Sequence, residues 1–127
     1  MHQFPDYETV HSWLESLLAE LPPFFLEGLN LGVVLLDDAK LHARSRPDAP
    51  LYIMGEYQRS NIGAQIVIYY GSYQRVYRGR SYDTIKANLR QTLRHEFRHH
   101  VEYRAGERGL VVEDEARLAQ YEQVFDD

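Results

Sequence analysis

A long amphipathic segment in the C-terminal half of the chain constrains the fold more than any other feature. Its apolar residues recur at four-residue steps, at Ile85, Leu89, Leu93 and Phe97. Because residues four apart share one face of an α-helix, this stripe predicts a helix with one side buried in a core. Ser81 or Asp83 can cap its N-terminus. We expect the helix to reach about Arg104, because Gly106 and Gly109 follow.

The preceding residues supply a first helix and the strands of a small sheet. Asp6 can cap a helix with apolar residues at helical spacing, which Pro22 and Pro23 stop. Three apolar or β-rich runs predict strands, at 31–36, 51–57 and 64–70. Residues 58–63 suit the loop of a hairpin, and a last helix is expected over about 113–124.

These elements have to share one core. With 127 residues and 44% hydrophobic content, the chain fits a single domain over residues 1–127. A helix followed by strands and then by helices predicts an α+β fold. The expected sheet is small and mainly antiparallel, with about three to four strands, and it is accompanied by N-terminal, long central and C-terminal helices.

Composition excludes several kinds of site and partner. The chain has no Cys, so a disulfide framework or a thiolate metal site is impossible, and a metal has to be held by His, Asp or Glu. The formal net charge of -5, without a long basic block, argues against nucleic acid as a partner. No apolar run approaches the ~20 residues that span a bilayer, and no signal-peptide pattern opens the chain. We therefore expect a cytoplasmic monomer that does not bind membranes.

Residues 94–100 carry a pattern with metal-binding potential inside the long helix, reading Arg-His-Glu-Phe-Arg-His-His. His95 and His99 are four residues apart, so they lie roughly 40° apart on one helix face and can share one ion. Glu96 lies about 100° around from His95, where it can reach into a cleft beside the ion. The pattern predicts zinc on the two His, with Glu96 as the general base that deprotonates a zinc-activated water. The alternative is a surface His pair on a charged helix.

A zinc site of this kind needs a third protein ligand, which the sequence leaves open. The acidic residues that open the last predicted helix are candidates, with Asp114 first, then Glu113 and Glu115. Alternatively, these carboxylates only complement the positive end of the helix dipole. His100 adjoins His99 but projects toward the apolar stripe, so we expect a hydrogen-bonded, half-buried side chain.

The motif His95-Glu96-x-x-His99-His100 resembles that of the small bacterial, single-domain metallopeptidase-like zincins known as minimal zincins. Weaker similarities of pattern lie at residues 21–25, 32–36, 55–57 and 66–70. The resemblance implies a zincin-like α+β fold, zinc on the two motif His, Glu96 as the base and an acidic third ligand that corresponds to Asp114. In that family a Gly and the acidic ligand follow the motif closely, whereas residues 101–112 intervene in this chain.

Two main functional hypotheses follow. In the first, the chain is a zinc-dependent metallopeptidase, which binds an extended peptide or protein substrate along an exposed strand edge at 64–70. Tyr70 and Tyr103 are candidates for stabilising the oxyanion. In the second, the chain is a non-catalytic zinc-binding or protein-interaction module with a degenerate zincin fold. A metal-dependent hydrolase of another bond, such as a nuclease, is disfavoured by the negative net charge.

Overall fold

A computed structural model of the chain describes residues 3–108. Its helices are α1 (Tyr7–Ala19), a short 3-10 helix (Pro23–Leu26), α2 (Tyr70–Val76) and α3 (Tyr82–Arg108). Its strands are β1 (Val33–Leu36), β2 (Lys40–Leu41), β3 (Tyr52–Ile53), β4 (Gly55–Ser60) and β5 (Gly63–Tyr69). None of the helices in this part of the chain combines the length and apolarity that crossing a bilayer requires.

The two longer α-helices begin at the caps that the sequence indicates. The Asp6 carboxylate accepts a hydrogen bond from the Thr9 N–H at 2.9 Å, which satisfies one of the free donors at the start of α1. The Ser81 hydroxyl accepts one from the Thr84 N–H at 3.2 Å at the start of α3. Helix α3 continues through Gly106 to Arg108, so the prediction that it ends near Arg104 is wrong.

The core lies between α3, α1 and the larger sheet. The predicted stripe of α3 is buried there, with Ile85, Leu89, Leu93 and Phe97 all in the hydrophobic cluster. Helix α3 also approaches strand β4 closely at Gly55, where a Cβ atom would lie 2.8 Å from Thr92 Cγ2. The absence of a side chain at Gly55 therefore allows this helix to lie against this strand.

The larger sheet has the strand order β1-β5-β4 and is mixed. Strand β1 runs parallel to β5, with Val33 opposite Ile66, while β4 runs antiparallel to β5, with Tyr57 opposite Ile66. Strands β2 and β3 form a separate antiparallel pair. Strand β5 is therefore the central strand of its sheet, which differs from its predicted position at an edge.

The predicted zincin-like α+β fold with a mainly antiparallel sheet is wrong. The residues from 3 to 108 form a mixed three-stranded sheet and a separate two-stranded one, and α3 is the last element described. An apolar run such as that of β1 predicts a strand that is covered on both faces. Such a run does not distinguish a parallel strand from an antiparallel one. The predicted C-terminal helix over 113–124 lies outside the described residues.

The hairpin between β4 and β5 is tighter than predicted. The strands extend to Ser60 and resume at Gly63, so residues 58–60 belong to β4 instead of a loop. Gly63 has a φ of +145°, and the Asn30 side chain occupies the space that its Cβ would fill. Asn30 donates to the Ile62 carbonyl and accepts from the Ala64 N–H, each at 2.9 Å. This contact from a distant segment stabilises the short turn.

Candidate functional site

Two histidines face each other on the exposed side of α3. Nε2 of His99 lies 3.1 Å from Nε2 of His95, and the ring centroids are 4.6 Å apart in an edge-to-face arrangement. The four-residue spacing places the rings on successive turns of one helix face. The structure therefore brings together the two side chains that the sequence selects as metal ligands, with a nitrogen of each directed at the other.

Glu96 lies on the adjacent, inward face of the same helix. Only 6% of its surface is exposed, and it lines a cleft together with Tyr57 of β4. Burial raises the pKa of Glu96 above its usual value, and this effect outweighs the opposing influence of His95, His99 and the Tyr57 N–H. Glu96 thus lies beside the histidine pair.

These three side chains line an open cleft between α3 and the segment from Ile53 to Tyr57. The cleft has a volume of about 520 Å³, and Tyr103 lines it one helical turn beyond His99. A second cleft of about 510 Å³ adjoins it and shares four of its lining residues, namely Ile53, Gly55, His95 and Glu96. Asn88, Gln91 and Thr92 line that second part. Together the two clefts follow one face of α3 over several turns.

His100 is fully buried next to this cleft, and both of its ring nitrogens have partners. Nε2 lies 2.7 Å from the Glu27 carbonyl oxygen, and Nδ1 lies 2.6 Å from the Tyr57 hydroxyl. A carbonyl only accepts, so Nε2 carries the proton and Nδ1 accepts from Tyr57 in the neutral ring. Burial lowers the pKa of His100, which favours this neutral form. The expected hydrogen-bonded role is confirmed, although the side chain is more deeply buried than predicted.

Tyr57 is the residue at this site that sequence reasoning missed. Its hydroxyl donates to His100 at 2.6 Å and accepts from Arg59 at 2.8 Å. The Arg59 guanidinium in turn lies 3.6 Å from the centre of the Tyr103 ring. Ten tyrosines in the chain make any one of them inconspicuous, and only the pairing of β4 against α3 selects this one.

A second carboxylate, Glu56, lines the cleft but has different partners. Its Oε1 accepts from Lys40 Nζ at 2.7 Å and from the Tyr69 hydroxyl at 2.6 Å. Desolvation alone would raise the pKa of Glu56, but these hydrogen bonds outweigh it, so the pKa lies below its usual value. Glu56 is thus a paired anion that links β2 to the larger sheet.

The two predicted candidates for oxyanion stabilisation lie in different places. Tyr70 is buried, donates to the Pro5 carbonyl at 2.7 Å and packs in the core away from the cleft. Tyr103 lines the cleft, with 44% of its surface exposed. Of the two, the structure places only Tyr103 beside the His pair.

The described residues bring together the two imidazoles that the sequence predicts as metal ligands. Two converging imidazoles fit adjacent coordination positions of a zinc ion. Within residues 3–108, no group of three or more His, Cys, Asp or Glu is close enough to hold a metal. The predicted third ligand Asp114 and its alternatives Glu113 and Glu115 lie outside the described residues.

Comparisons with known proteins correct the predicted family. A scan of protein-family models finds no match, and a search of curated proteins finds none either. The expected membership of the minimal zincins is therefore wrong. So is the classification of the chain among the zincin-type metallopeptidases, since the described part of the chain has no three-ligand metal group and no protease family is matched.

A solved structure does match most of the chain. It is described as a conserved hypothetical protein (TTHA0227) from Thermo thermophilus. The two share 32% sequence identity and align with a TM-score of 0.69, over 80% of this chain and 99% of the other. This chain therefore belongs to the same family as that conserved hypothetical protein.

Proposed function

We propose that this protein is a metal-dependent hydrolase that cleaves peptide bonds, with a zinc ion on His95 and His99 and with Glu96 as the general base. The observation that carries the proposal is the 3.1 Å approach of the two imidazole Nε2 atoms beside a buried carboxylate at one cleft. The combination of exposed imidazoles and a protected carboxylate suits metal-assisted hydrolysis.

The three side chains have separate tasks in this proposal. Zinc bound by imidazoles would lower the pKa of a water molecule and polarise a carbonyl in the cleft. Glu96 accepts the proton of the water as its oxygen adds to the carbonyl carbon. The same carboxyl then delivers that proton to the leaving amine nitrogen as the C–N bond breaks. Because Glu96 adjoins His95 on the same helix, it stays beside the His pair throughout.

The substrate proposed for this site is an extended polypeptide, because the cleft follows a strand. In the part of the chain that is described, β4 is an edge strand whose other side faces α3 and the cleft. The Tyr69 N–H donates to the Met54 carbonyl at 2.9 Å, so alternate residues from Gly55 onward direct their backbone groups away from β5. A peptide can pair with such an edge.

The test is zinc binding followed by hydrolysis, with the full chain purified without a chelator or a metal-affinity tag. About one zinc per chain is expected for the wild type, with loss in His95→Asn and His99→Asn. His11→Asn is the matched control, because His11 also lies four residues from its partner on an exposed helix face, 3.0 Å from Glu15. Equal zinc binding by all four proteins would contradict the proposed site.

Asp114→Asn extends the same experiment to the predicted third ligand. Weaker zinc binding is expected in this variant, since a carboxylate completes a His-based zinc site in many hydrolases. A peptide mixture digested with the zinc-loaded wild type, and analysed for new amino termini, then tests turnover. Stoichiometric zinc without any cleavage would indicate the non-catalytic zinc-binding module instead.

A further inference from the structure

The cleft of the histidine pair continues into a second cleft whose further lining is uncharged. This second cleft has a volume of about 510 Å³, and α3 lines it with three neutral polar side chains, Asn88, Gln91 and Thr92. Residues 53–55 line it as well. Beyond the histidine and the glutamate that both clefts share, none of its described lining residues is ionisable. In such a cleft a few placed polar groups decide which ligand is bound.

A buried tyrosine of α2 contacts the α3 side of the second cleft. Only 1% of the surface of Tyr73 is exposed, and its hydroxyl donates to Thr92 Oγ1 at 2.6 Å. The Asn88 backbone carbonyl lies farther from the same hydroxyl, at 3.3 Å. Burial raises the pKa of Tyr73, so the phenol keeps its proton and remains a donor. Thr92 therefore accepts from Tyr73 and still has its own proton to donate.

The Thr92 hydroxyl sets the orientation of the Asn88 side-chain amide. Thr92 Oγ1 donates to Asn88 Oδ1 at 3.4 Å, one helical turn away. With the amide reversed, Nδ2 would face the Thr92 oxygen, and the Thr92 proton would have no acceptor there. In the observed orientation Nδ2 carries two N–H donors and has no hydrogen-bond partner among residues 3–108. Asn88 therefore presents N–H donors to a ligand in the second cleft.

The surroundings of Asn88 restrict the ligand further. Glu96 lines both clefts and, when ionised, repels a carboxylate in the second one. An ammonium or guanidinium group has only donors, which cannot pair with the Asn88 N–H groups. An apolar side chain makes no hydrogen bond with them either. The ligand that fits is neutral and carries a carbonyl oxygen.

We propose that Asn88 is a specificity-determining residue, which donates from Nδ2 to the side-chain amide oxygen of a glutamine or asparagine in the substrate. This inference rests on the proposed function for the identity of the substrate as a polypeptide. Gln91, an exposed amide that lines the same cleft, can accept from the NH₂ group of that side chain. One neutral hydrogen bond corresponds to a preference of about three- to tenfold over an apolar side chain.

The first experiment measures binding to the metal-free full chain, so it does not depend on turnover. The probes are two blocked tripeptides, acetyl-Ala-Gln-Ala-amide and acetyl-Ala-Met-Ala-amide, whose central side chains have similar lengths. In an NMR titration the Gln probe is expected to shift the Asn88 side-chain amide protons downfield and to bind about three- to tenfold more tightly than the Met probe. Unshifted amide protons, or equal binding of the two probes, would overturn the inference.

Asn88→Asp is the variant that separates the donor from the rest of the side chain. It keeps an acceptor for Thr92 and replaces the N–H donors with a carboxylate oxygen. The preference for the Gln probe is expected to disappear, and a third probe with Lys at its centre should bind most tightly. Asn61→Asp is the matched control, because it makes the same chemical change at an exposed turn outside both clefts. An unchanged order of the probes in Asn88→Asp, or the same change in Asn61→Asp, would contradict the role of Asn88.

The two proposals fail in different ways. If the wild type binds no zinc and cleaves no peptide, the proposed function is wrong, while the probes still decide whether Asn88 selects a neutral amide. If the probes bind equally well, the inference is wrong even where the zinc-loaded protein cleaves peptides. On a peptide that the wild type cleaves, Gln in place of Met should raise kcat/KM about three- to tenfold at one position, and Asn88→Asp should abolish that difference.

Discussion

Two glutamates line the same cleft, yet their surroundings give them opposite character. Glu56 accepts from Lys40 and Tyr69, and these bonds lower its pKa despite partial burial. Glu96 is almost completely buried, and this burial raises its pKa. The first carboxylate remains a stable anion that links two sheets. The second is better suited to accept and release a proton, because its ionised form is less stabilised.

This difference shows why a carboxylate in a cleft should be judged by its partners. Both residues line the cleft of the histidine pair. Glu56 has a lysine and a tyrosine hydroxyl as partners, whereas burial dominates at Glu96. The following predictions, in order of expected effect, test whether the two glutamates differ as described.

Glu96→Gln should have the largest effect. Because a general base contributes about 10²- to 10⁴-fold, peptide hydrolysis by the zinc-loaded protein is expected to fall by that factor. Zinc content, measured by elemental analysis, should be unchanged because the ligands remain. Glu56→Gln serves as the comparison and should reduce the rate far less. A Glu96→Gln protein that keeps more than about one tenth of the rate would exclude the general-base role.

Gly55→Ala tests the close approach between β4, which carries Glu56, and α3, which carries Glu96. The added methyl would lie 2.8 Å from Thr92 Cγ2 and 3.0 Å from Ile68 Cδ1, so the helix has to move from the strand. Such overpacking should lower the free energy of unfolding by about 1–3 kcal/mol, measured by urea denaturation.

The matched control for that substitution is Gly106→Ala. A Cβ at Gly106 meets no described atom within 4 Å, and the residue lies inside α3. Alanine there should increase stability, by about 0.5–1 kcal/mol, because it favours the helix. Similar effects of the two substitutions would mean that the helix and strand are not in close contact at Gly55.

Glu56→Gln should lower the free energy of unfolding by about 1 kcal/mol, because an amide oxygen accepts less strongly than a carboxylate from Lys40 and Tyr69. Thermal or urea unfolding at neutral pH measures the loss. Tyr69→Phe is the companion variant, since it removes one of the same hydrogen bonds and keeps the ring. Wild-type stability in both variants would show that the Lys40–Glu56 link does not hold β2 to the larger sheet.

The two glutamates should contribute to the pH dependence of stability in opposite directions. For Glu56 the folded pKa is lowered, so its contribution is present above the ordinary glutamate value of about 4.3 and is lost as the pH falls through the folded pKa. For Glu96 the folded pKa is raised, so its contribution is present below about pH 4.3 and is lost as the pH rises through the folded pKa.

Unfolding free energies across the acid range, for wild type and both Gln variants, measure these slopes. In Glu56→Gln, the free energy of unfolding should decrease less steeply toward low pH than in the wild type. In Glu96→Gln, it should instead decrease less steeply as the pH rises above about 4.3. Slopes of the same sign for both variants would contradict the difference in their surroundings.

Much of the site on α3 could be predicted from the sequence. The apolar stripe sets the helix register, and that register places His95 and His99 outward and Glu96 inward, as observed. The prediction failed where strands had to be paired. The expected substrate edge at 64–70 is the central strand β5, and within residues 3–108 the two edges of that sheet are β1 and β4. The third-ligand prediction, Asp114, stays a prediction because it lies outside the described residues.

The sequence by itself determined where α1 and α3 begin, their caps and the order of side chains around α3, because helical periodicity and capping depend on residues a few positions apart. Only the tertiary structure decided that β1 pairs with β5, that β4 lies at an edge, and that Tyr57 contacts His100. Those contacts join distant parts of the chain, such as Tyr57 with His100 and His100 with Glu27. Their geometry depends on how strands pair and how closely α3 packs against them, which local patterns do not specify.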